Sequence, residues 1–122
     1  MMTEILIKRL SKNVNLPKYE TDGSSGLDLA AHIENSVEIK PGQTEIIPTG
    51  LAVAIPKNFE IQIRPRSGLA AKNQISVLNT PGTIDADYRG ELKVILINHG
   101  QESFIIENGL RIAQMVICPL IK

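Results

Sequence analysis

The sequence contains no tryptophan, very few other aromatic residues and a single cysteine. Its 122 residues include two tyrosines, two phenylalanines, two histidines and Cys118. A lone cysteine excludes a disulfide within the chain, and one cysteine with two histidines offers too few ligands for a Cys/His zinc centre. Aliphatic side chains must therefore fill the core, and we expect Cys118 to be one of its small buried members.

An excess of charge and long apolar runs are also lacking. Thirteen basic residues balance thirteen acidic ones, so nothing indicates a surface for duplex nucleic acid or an anionic membrane. No segment approaches the length of a membrane span, and the N-terminal residues contain no apolar stretch long enough for a signal peptide. We expect a cytoplasmic protein with neither nucleic acid nor membrane as a partner, and a small charged ligand stays open because it needs only a local cluster.

Length and turn signals predict one all-β domain over residues 1–122. In FEIQIRP (59–65) apolar and polar residues alternate as in a half-buried strand, and turn signals such as Pro81-Gly82 separate many such runs. Short strands at this spacing favour an antiparallel sandwich or barrel. The runs predicted as strands are 4–10, 26–33, 36–40, 44–50, 51–56, 59–65, 74–79, 91–98, 102–107 and 111–117.

One predicted strand lacks the alternation of the others. VILI (94–97) is apolar at four successive positions, which indicates a strand covered on both faces. In a domain of two layers, the second cover can come from another subunit. We therefore expect the chain to form an oligomer.

The segment RPRSG (64–68) combines groups that bind phosphate. Arginine offers a planar fork, serine a hydroxyl, and glycine a backbone that a ligand can approach closely. The alanine-containing run 67–72 predicts a short helix that Ser67 can cap, ending before Asn73, and free amides at a helix start also favour an anion. Taken alone, the segment is better explained as a strand end followed by a capped turn.

The segment NTPGTIDADYRGEL (79–92) is unusually rich in functional side chains. If it is extended, Asp85 and Asp87 share one face, and residues 89–90 form a hairpin tip. A carboxylate beside a phosphate can orient and deprotonate water, and the ring of Tyr88 can pack on a sugar or base. The alternative is that the aspartates cap turns and the tyrosine packs on a sheet.

Two further segments place polar residues inside apolar strands. Asp28 lies in SGLDLAA (25–31), where an unpaired carboxylate is costly to bury and needs an arginine, backbone donors or a hydrated metal. Arg111 and Gln114 interrupt the apolar run of GLRIAQ (109–114). They can bind a carboxylate and a phosphate, or form a polar pair that neighbouring backbone satisfies.

In this order and spacing, the four segments resemble the motifs of the trimeric dUTP pyrophosphatase (dUTPase) family. SGLDLAA is similar to the first motif, with Ser25 where alanine is usual. PRSGLA (65–70), NTPGTIDADYRGE (79–91) and GLRIAQ (109–114) are similar to the second, third and fourth. The resemblance runs over essentially the whole chain, and four motifs in register are highly specific.

The resemblance implies a fold, an assembly and an activity. The fold would be a β-jelly roll, a distorted barrel with a short helix after PRSG, assembled as a homotrimer with active sites at subunit interfaces. The enzyme would use Mg²⁺ to hydrolyse dUTP to dUMP and pyrophosphate. That reaction supplies dUMP for dTMP synthesis and limits the incorporation of uracil into DNA.

The resemblance also assigns the residues around the nucleoside. Asp85 would be the base that activates the water attacking the α-phosphorus. Tyr88 would pack under the deoxyribose and leave no room for a 2′-hydroxyl. Asn79 and the backbone around Lys93 would read the uracil edge. The same pocket would be lined by the backbone around Thr83 and Ile84.

The phosphates and the metal are assigned to the other three motifs. Arg66, Ser67, Gly68 and Gln114 would hold the phosphates. Asp28 would lie near hydrated magnesium and contact it through water. Mg²⁺ keeps several waters and often binds through substrate phosphates, which explains why the sequence shows no carboxylate cage.

One part of the family pattern is missing from the sequence. The family usually ends in a flexible glycine-rich arm with an arginine and an aromatic residue, a fifth motif that closes over the nucleotide. This sequence stops at Ile121-Lys122. Either the chain is truncated or a tail is missing from the sequence, and we favour the missing tail. A chain without the arm is expected to bind substrate while its turnover falls steeply.

Two other functions are weighed against dUTP hydrolysis. The dCTP deaminases resemble this family, but their catalytic glutamate would fall at Ile95, which cannot relay protons, and they tend to have phenylalanine where this chain has Tyr88. A non-catalytic nucleotide-binding jelly roll is the second alternative, and the presence of Asp85 argues against it.

The motifs assign no role to Asp87. We expect Asp87 to form a structural ion pair with Arg111.

Overall fold

Antiparallel strands make up nearly all of the regular structure in the computed structural model, which describes residues 3–122. The strands are β1 Leu6–Arg9, β2 Leu27–Ala30, β3 Val37–Ile39, β4 Thr44–Ala54, β5 Phe59–Arg64, β6 Ile75–Val77, β7 Gly82–Ile84, β8 Glu91–Asn98, β9 Phe104–Ile106 and β10 Arg111–Pro119. The helix is α1, Ser67–Asn73. Within this range, no helix is long and apolar enough to cross a membrane.

The strands are arranged in two four-stranded sheets and one two-stranded sheet. The strand orders are β1-β4-β8-β6, β2-β10-β5-β7 and β3-β9, and each pairing is antiparallel. Most neighbours in these sheets are distant in sequence, as expected when strands cross repeatedly between two layers. The arrangement confirms the all-β jelly-roll class with one short helix.

Side chains from both four-stranded sheets share one aliphatic core. Its fully buried members come from several strands and include Leu29, Ile61, Leu96 and Met115, each 0% exposed. Neither phenylalanine is fully buried. The expectation of an aliphatic core is confirmed, but Cys118 is only half-buried on β10, so a buried thiol is the wrong prediction.

Two strand predictions differ from the structure. Residues 44–50 and 51–56 were expected as separate strands, yet β4 runs through both with a bulge between Pro48 and Ala52. Gly50 has φ of +71° and lies at this bulge. The glycine that suggested a turn is therefore part of a continuous strand. The short strand β7 was not predicted.

The strand β8 is covered by its own chain on one face only. Val94 and Leu96 are buried in the core, whereas Ile95 is half-buried on the opposite face. Ile46 pairs with Ile95 across the sheet and is 60% exposed, and Leu78 donates its backbone N–H to the Ile95 carbonyl and is 51% exposed. These three residues, Ile46, Leu78 and Ile95, form an apolar strip on the outer face of the sheet.

We expect Asn98→Ala to lower the free energy of unfolding by about 3 kcal/mol, because it leaves buried backbone groups unsatisfied. The Asn98 side chain is 0% exposed and donates to the carbonyls of Ile39 and Glu102, each at 2.8 Å. It also accepts from the Gly100 amide at 2.8 Å. Urea unfolding measures the change, with exposed His99→Ala as the control. Equal midpoints for the two variants would contradict the prediction.

Candidate active site

The segment between β7 and β8 crosses from one sheet to the other. β7 pairs with β5, whereas β8 pairs with β4 and β6 in the opposite sheet. The expected hairpin with its tip at 89–90 is therefore wrong. Crossing between layers instead leaves residues 85–90 outside both sheets, and the side chains of Asp85, Asp87, Tyr88 and Arg89 are exposed there.

Asp85 lies at the start of a tight turn in this crossing. The Tyr88 backbone N–H donates to the Asp85 carbonyl at 3.1 Å, which makes residues 85–88 a turn and not the extended segment that was expected. Asp85 and Asp87 are both exposed. The Arg89 guanidinium donates to the Ala86 carbonyl at 2.6 Å and so braces the turn from its far side.

The aromatic ring at the end of the turn is held by the backbone that follows it. The Tyr88 hydroxyl donates to the Glu91 carbonyl at 2.8 Å, which folds the ring back over Gly90. The side chain nevertheless stays 43% exposed. A ring that is fixed at one edge and exposed elsewhere suits a contact surface for a sugar or base.

The other residues expected around a nucleoside lie on either side of the crossing. Asn79 is exposed in the turn after β6, and its amide nitrogen lies 3.4 Å from the position that a side chain on Gly82 would occupy. Thr83 is exposed and Ile84 is half-buried on β7. Lys93 is exposed on β8, opposite Pro48 of β4. The structure thus places Asn79 beside the strand that leads to Asp85.

A second group of polar side chains lies at the other end of β5. Gln114 on β10 pairs with Asp28 on β2 and with Arg64 on β5, so the three residues form a row across the sheet. The Gln114 Nε2 atom donates to the Pro65 carbonyl at 3.0 Å, and Arg66 Nε lies 3.5 Å from Asp28 Oδ1. The row brings three of the motifs together.

The negative charge of the Asp28 carboxylate is balanced by arginines, which are among the partners predicted for it. Besides Arg66, it has Arg111 Nη1 3.2 Å from its Oδ2 atom, and its own side chain is 16% exposed. Arg111 also lies 3.6 Å from Glu20 Oε1, a partner that was not predicted from the sequence. The expected ion pair between Asp87 and Arg111 is wrong, because Arg111 is already engaged by these two carboxylates.

The short helix α1 begins directly after this group. Arg66, not Ser67, occupies the capping position, and no side chain caps the helix, so the predicted role of the serine is wrong. Ser67 and Gly68 are instead exposed residues of the first turn, and there is open space where a side chain on Gly68 would lie. The helix ends at Asn73, where Gln74 takes a left-handed conformation with φ of 55°.

The two groups are held apart within one chain. The pairing of Ile61 with Ile84 puts Asp85 at the start of β5, whereas Arg66 follows its end. Asp85 is level with Glu60 in this register, six residues of extended chain before Arg66, which corresponds to roughly 20 Å. No hydrogen bond or ion pair found among residues 3–122 links the two groups.

Comparison with known proteins gives this arrangement a family. Residues 12–122 match the family model for dUTPase. The chain belongs to the dUTPase family. The resemblance of its four motifs to that family is therefore confirmed.

Individual dUTPases are similar over most of the chain. A deoxyuridine 5'-triphosphate nucleotidohydrolase of Rickettsia bellii is 60% identical over 117 residues, which are 95% of this chain and 78% of the relative. That of Rickettsia prowazekii is 60% identical over 115 residues, 93% of this chain and 78% of the relative. The dUTPase of Staphylococcus bacteriophage 80alpha, solved as a mutant with dUpNHpp, has a TM-score of 0.89 at 26% identity, covering 99% of this chain and 93% of that chain.

The charges at Asp28 decide how a metal would fit this dUTPase chain. Each carboxylate oxygen of Asp28 already has an arginine nitrogen within 3.5 Å. Among residues 3–122, no three His, Cys, Asp or Glu side chains are grouped as ligands for a metal ion. Direct ligation by the protein does not fit this donor set. A hydrated Mg²⁺ carried by phosphates does fit, because such an ion keeps its waters and needs few protein ligands.

Proposed function

We propose that this chain is a dUTP diphosphatase, a hydrolase that converts dUTP to dUMP and pyrophosphate with residues 1–122 as one domain. The observation that carries the proposal is the exposed Asp85 carboxylate, which no hydrogen bond or ion pair of the described residues engages. It lies on a turn braced by Arg89. A carboxylate that no cation neutralises can accept a proton from water.

Asp85 acts as the general base. It accepts a proton from a water molecule as the water oxygen bonds to the α-phosphorus of dUTP. The bond from that phosphorus to the oxygen bridging to the β-phosphorus breaks, and its electron pair leaves on pyrophosphate. Because phosphoryl transfer requires little covalent chemistry from the protein, positioning and charge stabilisation supply most of the rate.

The group around Asp28 supplies that charge. Arg66 and Gln114 donate hydrogen bonds from their side-chain N–H groups to the phosphates. The exposed residues Ser67 and Gly68, in the first turn of α1, also contact the phosphates. Asp28 orients Arg66 by its ion pair at 3.5 Å and shares its charge with Arg111. An arginine held in this way is preorganised for the phosphate chain before the nucleotide arrives.

Mg²⁺ is the proposed cofactor; the triphosphate would carry it, and Asp28 would contact it through water. When bound, it neutralises phosphate charge. Asp28 would not bind the metal ion directly, because its two carboxylate oxygens stay paired with Arg66 and Arg111. The remaining chemistry lies with Asp85 and the phosphate donors.

Uracil is read by Asn79 and by backbone groups around Lys93, Thr83 and Ile84. Exposed Asn79 lies beside β7 and can present both a donor and an acceptor. Cytosine reverses the pattern of donor and acceptor at one edge, so it would leave backbone N–H and C=O groups, whose roles are fixed, unpaired. The pocket thus selects uracil by its hydrogen bonds.

The active enzyme is proposed to be a homotrimer with sites at subunit interfaces. Asp85 and Arg66 lie roughly 20 Å apart along β5 of one chain, and a second subunit would bring the two groups to one substrate. The apolar strip of Ile46, Leu78 and Ile95 offers a surface for that contact. It would also give β8 the second cover that its sequence indicates.

We expect Tyr88→Ala to erode the discrimination between dUTP and UTP, by roughly tenfold or more in the ratio of kcat/KM values. The ring packs under the deoxyribose, and removing it makes room for a 2′-hydroxyl. Steady-state hydrolysis of both nucleotides by wild type and variant measures the ratio. Unchanged selectivity in a folded variant would show that Tyr88 does not contact the sugar.

Product analysis with dUTP and Mg²⁺ tests the function itself. The proposal predicts equimolar dUMP and pyrophosphate. Binding of dUTP without release, by protein that carries the glycine-rich arm, would favour a non-catalytic nucleotide-binding protein. Conversion of dCTP to dUTP would instead indicate a deaminase, although half-buried Ile95 occupies the position where a deaminase needs a glutamate.

A further inference from the structure

We infer that Gly90 is a positioning residue that sets the sugar selectivity of the enzyme by leaving space for the ring of Tyr88. The inference rests on the proposed function, because it concerns the choice between dUTP and UTP. It assigns the role to the absence of a side chain at position 90. The reacting atoms are not contacted by Gly90.

The space around Gly90 is filled by the tyrosine. A Cβ atom at Gly90 would lie 2.6 Å from the Tyr88 hydroxyl oxygen, 2.8 Å from Cζ and 3.2 Å from Cε1. Gly90 is not among the glycines with positive φ, which are Gly42, Gly50 and Gly109. Its backbone conformation is therefore open to other residues, and the ring is the reason for a glycine.

The hydroxyl edge of the ring, which faces Gly90, is also fixed by a chain of hydrogen bonds. The Tyr88 hydroxyl donates to the Glu91 carbonyl at 2.8 Å. The Glu91 carboxylate in turn accepts from the Gly50 amide at 2.9 Å, at the bulge of β4. The ring is thus tied to the start of β8, and β8 is tied to β4. This leaves the ring little freedom to move without breaking a bond.

A methyl group at position 90 would displace the ring. Non-bonded heavy atoms need about 3.5 Å, so the hydroxyl would have to move by roughly 1 Å and lose its bond to Glu91. Displacements of this size are enough to disturb a positioned group. The expected result is more room for a 2′-hydroxyl and weaker packing against deoxyribose, so UTP gains relative to dUTP.

The ratio of kcat/KM for dUTP to that for UTP measures the effect. We expect Gly90→Ala to lower this ratio roughly tenfold. Gly23→Ala is the matched control, because a side chain there meets nothing within 4 Å and Gly23 has no positive φ. The control should keep the wild-type ratio. Because the readout is a ratio, a uniform loss of turnover does not alter it.

A second pair of variants separates this role from a general disturbance of the fold. In a Tyr88→Ala background the ring is absent, so adding Gly90→Ala should change the selectivity less than about twofold. Folded Gly90→Ala with wild-type selectivity, or an equal loss in both backgrounds, would overturn the inference. If Gly90→Ala does not fold, the double variant with Tyr88→Ala decides, because the methyl group then no longer meets the ring. A double variant that also fails to fold would overturn the inference.

The outcome for wild type keeps this inference apart from the proposed function. Wild type that hydrolyses dUTP and rejects UTP supports the function whatever Gly90→Ala does. Wild type that hydrolyses neither nucleotide would overturn the function and with it this inference, whereas wild type that hydrolyses both equally would overturn the inference alone. Selective wild type with unchanged Gly90→Ala would overturn the inference alone.

Discussion

Asp85→Asn should lower kcat for dUTP hydrolysis by about a thousandfold, while the affinity for dUTP stays close to that of wild type. Asparagine has nearly the same shape as aspartate but cannot take a proton from water. Its turn is stabilised by backbone bonds and by Arg89, and the Asp85 carboxylate contributes to neither. Binding should survive because other groups hold the nucleotide.

Single-turnover kinetics and titration with dUpNHpp measure the two quantities separately. Asp87→Asn is the matched control, because Asp87 is an exposed aspartate of the same turn and has no ion pair in the described residues. It should keep wild-type turnover within about threefold, because it removes the same exposed charge two residues away and leaves the proposed base intact. Near-normal turnover in Asp85→Asn would show that another group accepts the proton.

Ile46→Lys should dissociate the proposed homotrimer and lower activity by roughly a hundredfold or more, because the two halves of the site are then no longer held together. Ile46 is 60% exposed in the single chain, so a lysine there has little effect on the folding of one subunit. In the trimer the same lysine would place an unpaired charge in an apolar contact, which is costly to bury.

Light scattering measures the mass, and the same sample is assayed with dUTP. Ile105→Lys is the control, because Ile105 is also an exposed isoleucine, at 47%, but lies on β9 in the two-stranded sheet. That variant should remain trimeric and active. A wild-type monomer, or an active trimer of Ile46→Lys, would contradict the assembly proposed for this surface.

Strand positions could largely be predicted because hydrophobic alternation follows directly from burial on one face. The prediction failed where that signal was absent. β7 has only three residues and begins with Gly82 after a proline, so it has neither the length nor the alternation of a strand. Gly50 has the opposite effect, because a glycine that suggests a turn lies at a bulge inside β4.

The composition of the candidate site was easier to predict than its geometry. The need of Asp28 for a charged partner follows from its apolar strand, and arginines confirm it. The separation of Asp85 from Arg66 depends on the pairing of Ile61 with Ile84, and no local pattern specifies which residues of distant strands pair. The turn at Asp85 was missed for a related reason, since Asp-Ala-Asp is compatible with either an extended segment or a turn.

Hydrolysis in water labelled with heavy oxygen tests most directly whether a water molecule attacks the α-phosphorus of dUTP. The products are separated and weighed by mass spectrometry after a single turnover. Attack at the α-phosphorus predicts that the label is found in dUMP and that pyrophosphate carries none. Label in pyrophosphate would place the attack at the β-phosphorus and contradict the role proposed for Asp85.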